Sequence, residues 1–386
     1  MLSRLPSFHG FNVTFHLTEA CNLKCNYCYE YHKRDKDLPL EYAKLFIDLL
    51  LTEKDIIGKT DDLWTNVLGG GLIMDFIGGD ALMRPKLCDE IMKYMQFKTT
   101  VLKHKWAHNY RMNISTNGTL FGNQDVRDFI EKYLPVLSIG VSVDGCPEIH
   151  NKLRSNSMSQ ILKHWDYFLS ITGDHASTKS TLTNESIPYL VESVRYLHET
   201  LKLKYINMNF IFDKQDSEPD LIELDKQLKE LVSYVYAHKD DLYLSLFDKD
   251  TRCGRPYKDN DLTKTWCGSG GMPCLDVDGK IYPCFRFAGQ NKQDPTIPDF
   301  NVGDVWNGFY KKDRFELIRG FTRERISPEK CKVCDVESSC AWCIAGAYTE
   351  TGKFYRQTYV CEIQKLQAKY ANEYWRVYHG TNRRSI

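Results

Sequence analysis

The residues with the most chemical potential in this chain are gathered in one short run. Cys21, Cys25 and Cys28 stand in Cys-Asn-Leu-Lys-Cys-Asn-Tyr-Cys, with Tyr27 immediately before the third thiol. Three thiolates so spaced cap three corners of a four-iron cluster and leave the fourth iron without a protein ligand. An open iron serves only if something else binds it, so the run reads as a reaction centre. An electron-transfer cluster is closed by four thiolates instead. The competing reading is a zinc loop, but zinc takes four ligands and prefers paired Cys-x2-Cys spacing.

A second concentration of thiols lies near the C-terminus. Cys267, Cys274, Cys284, Cys331, Cys334, Cys340, Cys343 and Cys361 all fall in the last third of the 386 residues. The N-terminal residues contain no apolar run of the kind an export signal needs, and no stretch is long and apolar enough to span a bilayer. The expectation is a soluble cytoplasmic protein, where clustered cysteines bind metal more often than they form disulfides. Lys plus Arg equals Asp plus Glu at 51 each, so the charge balance calls for neither a nucleic acid nor a membrane partner.

The elements that must position these thiols are visible as alternation. Strands are expected at 13–17, 73–77, 112–116, 139–143, 180–183 and 206–211. Helical patterns fill 40–51, 86–97, 124–133, 160–171 and 187–201, and a further helical region spans 214–237. Six strand–helix units imply an α/β fold with a parallel sheet curled into a partial (β/α)6 TIM-type barrel, with function at the C-terminal strand ends. Those ends carry unusual residues: the three cysteines, Gly78-Gly79-Asp80, Ser115-Thr116-Asn117-Gly118, and Ser142-Val143-Asp144-Gly145. After about residue 248 the alternation fades into a polar linker, 248–264. A small Cys-rich α+β segment follows, and an amphipathic helix, 360–378, closes the chain. The expected division is 1–247 and 248–386.

Cys-x3-Cys-x2-Cys with Tyr27 resembles the radical S-adenosylmethionine (SAM) superfamily. The resemblance implies that SAM chelates the open iron, that reduction releases a 5′-deoxyadenosyl radical, and that this radical abstracts hydrogen from a substrate. It assigns SAM contacts to Tyr27, Gly78, Gly79, Asp80, Ser115, Asn117, Ser142 and Asp144, with His150 and Arg154 following as in many relatives. Turn and cap chemistry would explain the same polar residues singly. The C-terminal set, with Gly279-x4-Cys284 and Cys331-x2-Cys334-x5-Cys340-x2-Cys343, is similar to the SPASM extension of enzymes that modify peptides and proteins. It ends Cys-x2-Cys where the family has Cys-x3-Cys. The resemblance implies two auxiliary [4Fe-4S] clusters, one on Cys267, Cys274, Cys284 and Cys343, the other on Cys331, Cys334, Cys340 and Cys361. That makes three clusters in all. Two zinc ribbons are the alternative.

Cys88, Cys146 and Cys253 are left over. Cys88 falls on an apolar helical face. Cys146 and Cys253 are candidate hydrogen-atom donors, as in peptide epimerases of the superfamily, or inert thiols. The leading expectation is a maturase of a ribosomally made precursor peptide that forms a thioether or carbon–carbon cross-link, or otherwise oxidises a residue. The alternatives are a formylglycine-generating anaerobic sulfatase-maturing enzyme, a peptide epimerase, and a non-enzymatic iron–sulfur electron carrier. In sulfatase-maturing enzymes an Asp follows soon after the cysteine equivalent to Cys284; here Phe285-Arg286-Phe287 follows, which weighs against that alternative. Expected partners are the precursor peptide or protein and an electron donor such as flavodoxin or ferredoxin. With the first strand expected by about Phe11, no fused leader-recognition domain is expected, and a separate leader-recognition protein or the enzyme's own surface would capture the precursor.

Overall fold

The computed structural model describes residues 10–52, 71–248, 269–337 and 339–379. Cys253, Cys267 and most of the expected linker lie outside them. β1 (Gly10–His16), β2 (Gly71–Ile77), β3 (Tyr110–Thr116), β4 (Leu137–Val141), β5 (Ser177–Leu182) and β6 (Tyr205–Phe210) pair in parallel, each beside its predecessor. Helical crossovers connect them, as parallel pairing requires. α1 (Leu40–Thr52), α2 (Pro85–Val101) and α3 (Gln124–Tyr133) cover the outer face of the first four strands. Phe11, Val13, Phe15, Met74 and Phe76 meet Phe46, Ile91 and Met95 there, all within one continuous core.

The sheet runs further than six strands. A short β7 (Tyr243–Leu244) extends it beyond β6, and β8 (Cys274–Leu275), β9 (Lys280–Tyr282) and β10 (Gly303–Asp304) extend it at the other edge. β8 lies parallel to β1, with Thr14 opposite Cys274, while β9 and β10 turn back antiparallel. The C-terminal segment thus continues the barrel sheet on the strand that carries the three-cysteine loop.

Three expected elements differ most, and the helical region expected from 214 starts only at Leu221. The fourth strand ends at Val141, because Ser142–Asp144 leave the sheet so that Asp144 can accept from the Thr181 N–H. The helix expected over 160–171 is two pieces, Met158–Leu162 and Trp165–Thr172, broken where His164 leaves helical geometry. The one expected over 187–201 begins as a 3-10 turn around Pro188, continues as α4 (Leu190–Arg195), and widens into a π turn over Tyr196–Thr200. Proline lacks the N–H that a regular helix would use. α5 (Leu221–Ala237) is capped by Asp220, which accepts from the N–H groups of Ile222 and Glu223. The final helix, α6 (Cys361–His379), packs along α5. Among the described residues no helix is long and apolar enough to cross a membrane.

Candidate active site

The C-terminal ends of β1 to β6 open into one cavity of about 710 Å³, and Cys21, Cys25 and Cys28 line it together. The loop that carries them is fixed by backbone contacts. The Ala20 N–H donates to Thr18 Oγ1 (3.1 Å), the Asn26 N–H to the Leu153 carbonyl (3.0 Å) and the Cys28 N–H to the Cys25 carbonyl (3.2 Å). The Leu23 N–H points at Cys21 Sγ (3.5 Å). Burial pushes the Cys21 and Cys25 thiols above their ordinary pKa, so a metal centre here must displace their protons on binding. The twelve described cysteines are all free of disulfides. Three convergent thiols on a cavity wall, with a backbone N–H aimed at one sulfur, fit an iron–sulfur cluster with an open corner.

The second strand end presses against this loop. A Cβ on Gly79 would lie 2.1 Å from the Ala20 carbonyl oxygen and 2.7 Å from Cys21 Cβ, and one on Gly78 would lie 2.3 Å from the Thr18 carbonyl oxygen. Glycine is required by that close approach. Asp80 is buried, and its carboxylate accepts from the Leu82 N–H (3.0 Å), Thr116 Oγ1 (2.9 Å) and the Asn117 N–H (2.7 Å). It therefore ties the ends of β2 and β3 together. Asn117 Nδ2 donates to Asn22 Oδ1 (2.8 Å) and stands 4.0 Å from Cys21 Sγ. Ser115 and Ser142 reach the cavity wall directly.

Asp144 is fully buried behind the cavity wall. Tyr27 Oη (2.6 Å) and Arg154 Nε (2.7 Å) donate to its Oδ2, and both of those side chains do line the cavity. Arg154 also covers the Tyr27 ring at 5.3 Å and places a guanidinium nitrogen 3.9 Å from Cys25 Sγ. The Asp144 N–H donates to His150 Nδ1 (3.2 Å), whose Nε2 meets Ser157 Oγ (3.0 Å). Burial holds the His150 pKa down at about 4, so its ring is neutral and its role is to shape the Asp144 loop. Cys146 is buried against Ile149, Leu153 and Tyr27 and is not among the residues that line the cavity. Cys88 is buried in the core on α2.

The C-terminal thiols form two groups. Cys274, Cys284 and Cys343 are near enough that Cys284 is influenced by Cys343 and Cys274 by Cys284. Ser269 Oγ donates to Cys284 Sγ (3.7 Å) and the Gly346 N–H to Cys343 Sγ (3.2 Å). Cys331, Cys334, Cys340 and Cys361 line one small separate cavity with Arg356 and Lys365. Both groups have the donor chemistry of iron–sulfur sites.

One ion pair at the edge of the cavity was given no role from the sequence. Asp213, just beyond β6, lines the main cavity and pairs with Arg286, which follows Cys284. Arg286 in turn covers the Tyr29 ring at 4.5 Å, beside Phe285. The strand-end rule applied to β6 would have pointed to Asp213. Nothing in the sequence announces its partner, 73 positions away.

The radical SAM superfamily profile matches residues 15–197. The chain is 32% identical to the serine-type anaerobic sulfatase-maturating enzyme of Bacteroides thetaiotaomicron over 83% of its length and 79% of that protein's. Its fold matches native anSMEcpe with bound AdoMet and the Cp18Cys peptide at a TM-score of 0.70, with 18% identity over 95% of this chain and 98% of that one. Streptococcus suis SuiB bound to its precursor peptide SuiA matches at 0.55, with 17% identity over 91% and 75%. With three cysteines on an open cavity at the head of a parallel sheet, and further thiols grouped in a SPASM-type C-terminal segment, this chain belongs to the radical SAM superfamily and is one of its enzymes, using SAM and an iron–sulfur cluster.

Proposed function

We propose that this enzyme is a peptide maturase that oxidises a residue of a ribosomally made precursor and forms a thioether or carbon–carbon cross-link. The observation that carries this reading is the make-up of the cavity. Its walls come from the three-cysteine loop on one side and, on the other, from Asp213 with Phe285 of the C-terminal segment. A peptide side chain entering there would lie between the three-cysteine loop and the C-terminal segment that carries the further thiols. A sulfatase-maturating relative, and a fold neighbour solved with a precursor peptide bound, support a peptide or protein substrate.

Cys21, Cys25 and Cys28 would hold the cluster, and SAM bound beside it would supply radical hydrogen-abstraction chemistry. The chain's own residues bind and orient. Gly78 and Gly79 let β2 close on the cluster loop, and Ser115, Asn117 and Ser142 offer polar groups to SAM. Asp144 holds Tyr27 and Arg154 in place. Cys267, Cys274, Cys284 and Cys343 would hold one auxiliary cluster, and Cys331, Cys334, Cys340 and Cys361 the other. Clusters held there would supply one-electron redox chemistry. The chain would work as two parts, 1–247 for SAM and 248–386 for the auxiliary centres. Flavodoxin or ferredoxin would supply the first electron.

Anaerobic reconstitution with iron and sulfide, followed by dithionite, SAM and candidate precursor peptides, tests this. About twelve irons per chain, 5′-deoxyadenosine, and a peptide lighter by two hydrogens with a new cross-link are expected. Formylglycine in a sulfatase-derived peptide, or deuterium uptake at an α-carbon without net oxidation, would replace the cross-linking reading.

A further inference from the structure

A second candidate site lies away from the cavity, among the outer helices. His198 sits in the π turn Tyr196–Thr200, His238 at the C-terminal cap of α5, and Asp241 in the turn that follows. One ligand atom from each of the three lies within 4.8 Å of the others. None of them lines the main cavity.

The distances are long for hydrogen bonds and fit ligands of a shared ion. His198 Nε2 is 3.4 Å from Asp241 Oδ2, and His238 Nδ1 is 3.6 Å from Asp241 Oδ1. Good hydrogen bonds to nitrogen fall at about 2.7–3.2 Å. Ligand atoms at about 2.0–2.1 Å from a tetrahedral zinc ion stand about 3.3–3.4 Å apart.

The surrounding hydrogen bonds point the same way. Tyr234 Oη donates to Glu199 Oε1 (3.0 Å), and so must accept from His198 Nδ1 (2.8 Å). That places a proton on Nδ1, and in the neutral ring the Nε2 lone pair then faces the carboxylate of Asp241. Two lone pairs facing each other at this distance repel unless a cation, either a metal ion or a second ring proton, lies between them. A carboxylate–tyrosine–imidazole chain of this kind is how outer partners orient a metal-binding histidine. The C-terminal end of α5, where His238 sits, favours positive charge. π turns also occur frequently at functional sites.

We propose that His198, His238 and Asp241 bind a divalent transition-metal ion of the zinc type, with water in the fourth position. The ion clamps the crossover that follows β5 to the end of the crossover that follows β6.

The test uses holoenzyme with its clusters filled anaerobically and then dialysed against zinc. Wild-type protein should hold one zinc beyond its iron and should unfold at a higher temperature with zinc present. His238→Ala and Asp241→Asn should weaken that zinc at least tenfold and lose the thermal shift, while iron content and 5′-deoxyadenosine release stay unchanged. Tyr234→Phe should weaken it about 10–100-fold through loss of orientation. Equal zinc in wild type and His238→Ala, or no zinc beyond the clusters, would overturn the assignment.

Discussion

At the scale of single residues, the decisive group is the buried trio of Asp144, Arg154 and Tyr27. Arg154 is the counter-charge of a fully buried carboxylate, and burial of the pair leaves little water to replace it. Arg154→Gln should cost about 3–5 kcal/mol, the usual cost of leaving one member of a buried pair alone. It should also lower SAM cleavage, because the guanidinium abuts Cys25. Tyr27→Phe removes one hydrogen bond and keeps the ion pair, so about 1 kcal/mol is expected. Anaerobic denaturation of both variants checks the order, and equal losses would contradict it. His150 gives a pH signature. Its folded pKa, about 4, lies below the unfolded value of about 6.5, so the unfolded chain binds more protons between those values. Stability is therefore fully present above 6.5 and lost as pH falls toward 4. His150→Asn keeps an acceptor for the Asp144 N–H but cannot titrate. The stability difference between wild type and variant should shrink by about 2 kcal/mol from pH 7 to pH 5. A difference independent of pH would refute the assignment of a neutral buried ring.

At the scale of elements, α6 holds the C-terminal segment on the barrel. Tyr374 stacks on Phe247 at 5.4 Å, Trp375 Nε1 donates to the Phe247 carbonyl (2.8 Å), and Gln367 Nε2 donates to that of Leu246 (3.1 Å). Tyr374→Ala should cost about 3 kcal/mol, the scale of a buried aromatic truncation. Hydrogen exchange should show α6 opening before β1 to β6. Exchange that stays uniform across the chain would mean that the helix is no separate unit. Sequence patterning revealed α6 and the six long strands because each repeats its apolar spacing over several turns or residues. Short elements had no such signal. β7 and β8 are two residues each, and β8 finds its place by pairing with β1 across a separation that no local window spans. The irregular stretch after Pro188 was misread because its apolar spacing stays helical while its hydrogen bonding changes from 3-10 to α to π.

At the scale of the whole molecule, the cavity is where distant parts of the chain meet, and that meeting decides how much of the site could be read beforehand. Cysteines and glycines at strand ends announced themselves by type and spacing. The Asp213–Arg286 pair did not, since an acidic residue after one strand and a basic residue after a cysteine are ordinary singly. The pair joins the barrel to the C-terminal segment at the cavity mouth, with both side chains mostly buried. Arg286 reaches the loop only at the Tyr29 ring beyond Cys28, and Asp213 pairs with Arg286, so SAM cleavage should survive loss of the pair. Arg286→Gln or Asp213→Asn alone leaves a charge without its partner and should cost about 3 kcal/mol. The double variant replaces both charges by neutral hydrogen-bonding groups and should recover much of that stability, a coupling that a double-mutant cycle measures. Peptide modification should behave differently. If Asp213 positions the substrate, all three variants should release 5′-deoxyadenosine with less modified peptide per turnover, and the double variant should regain stability without regaining product. Recovery of both together would make the pair a structural tie alone.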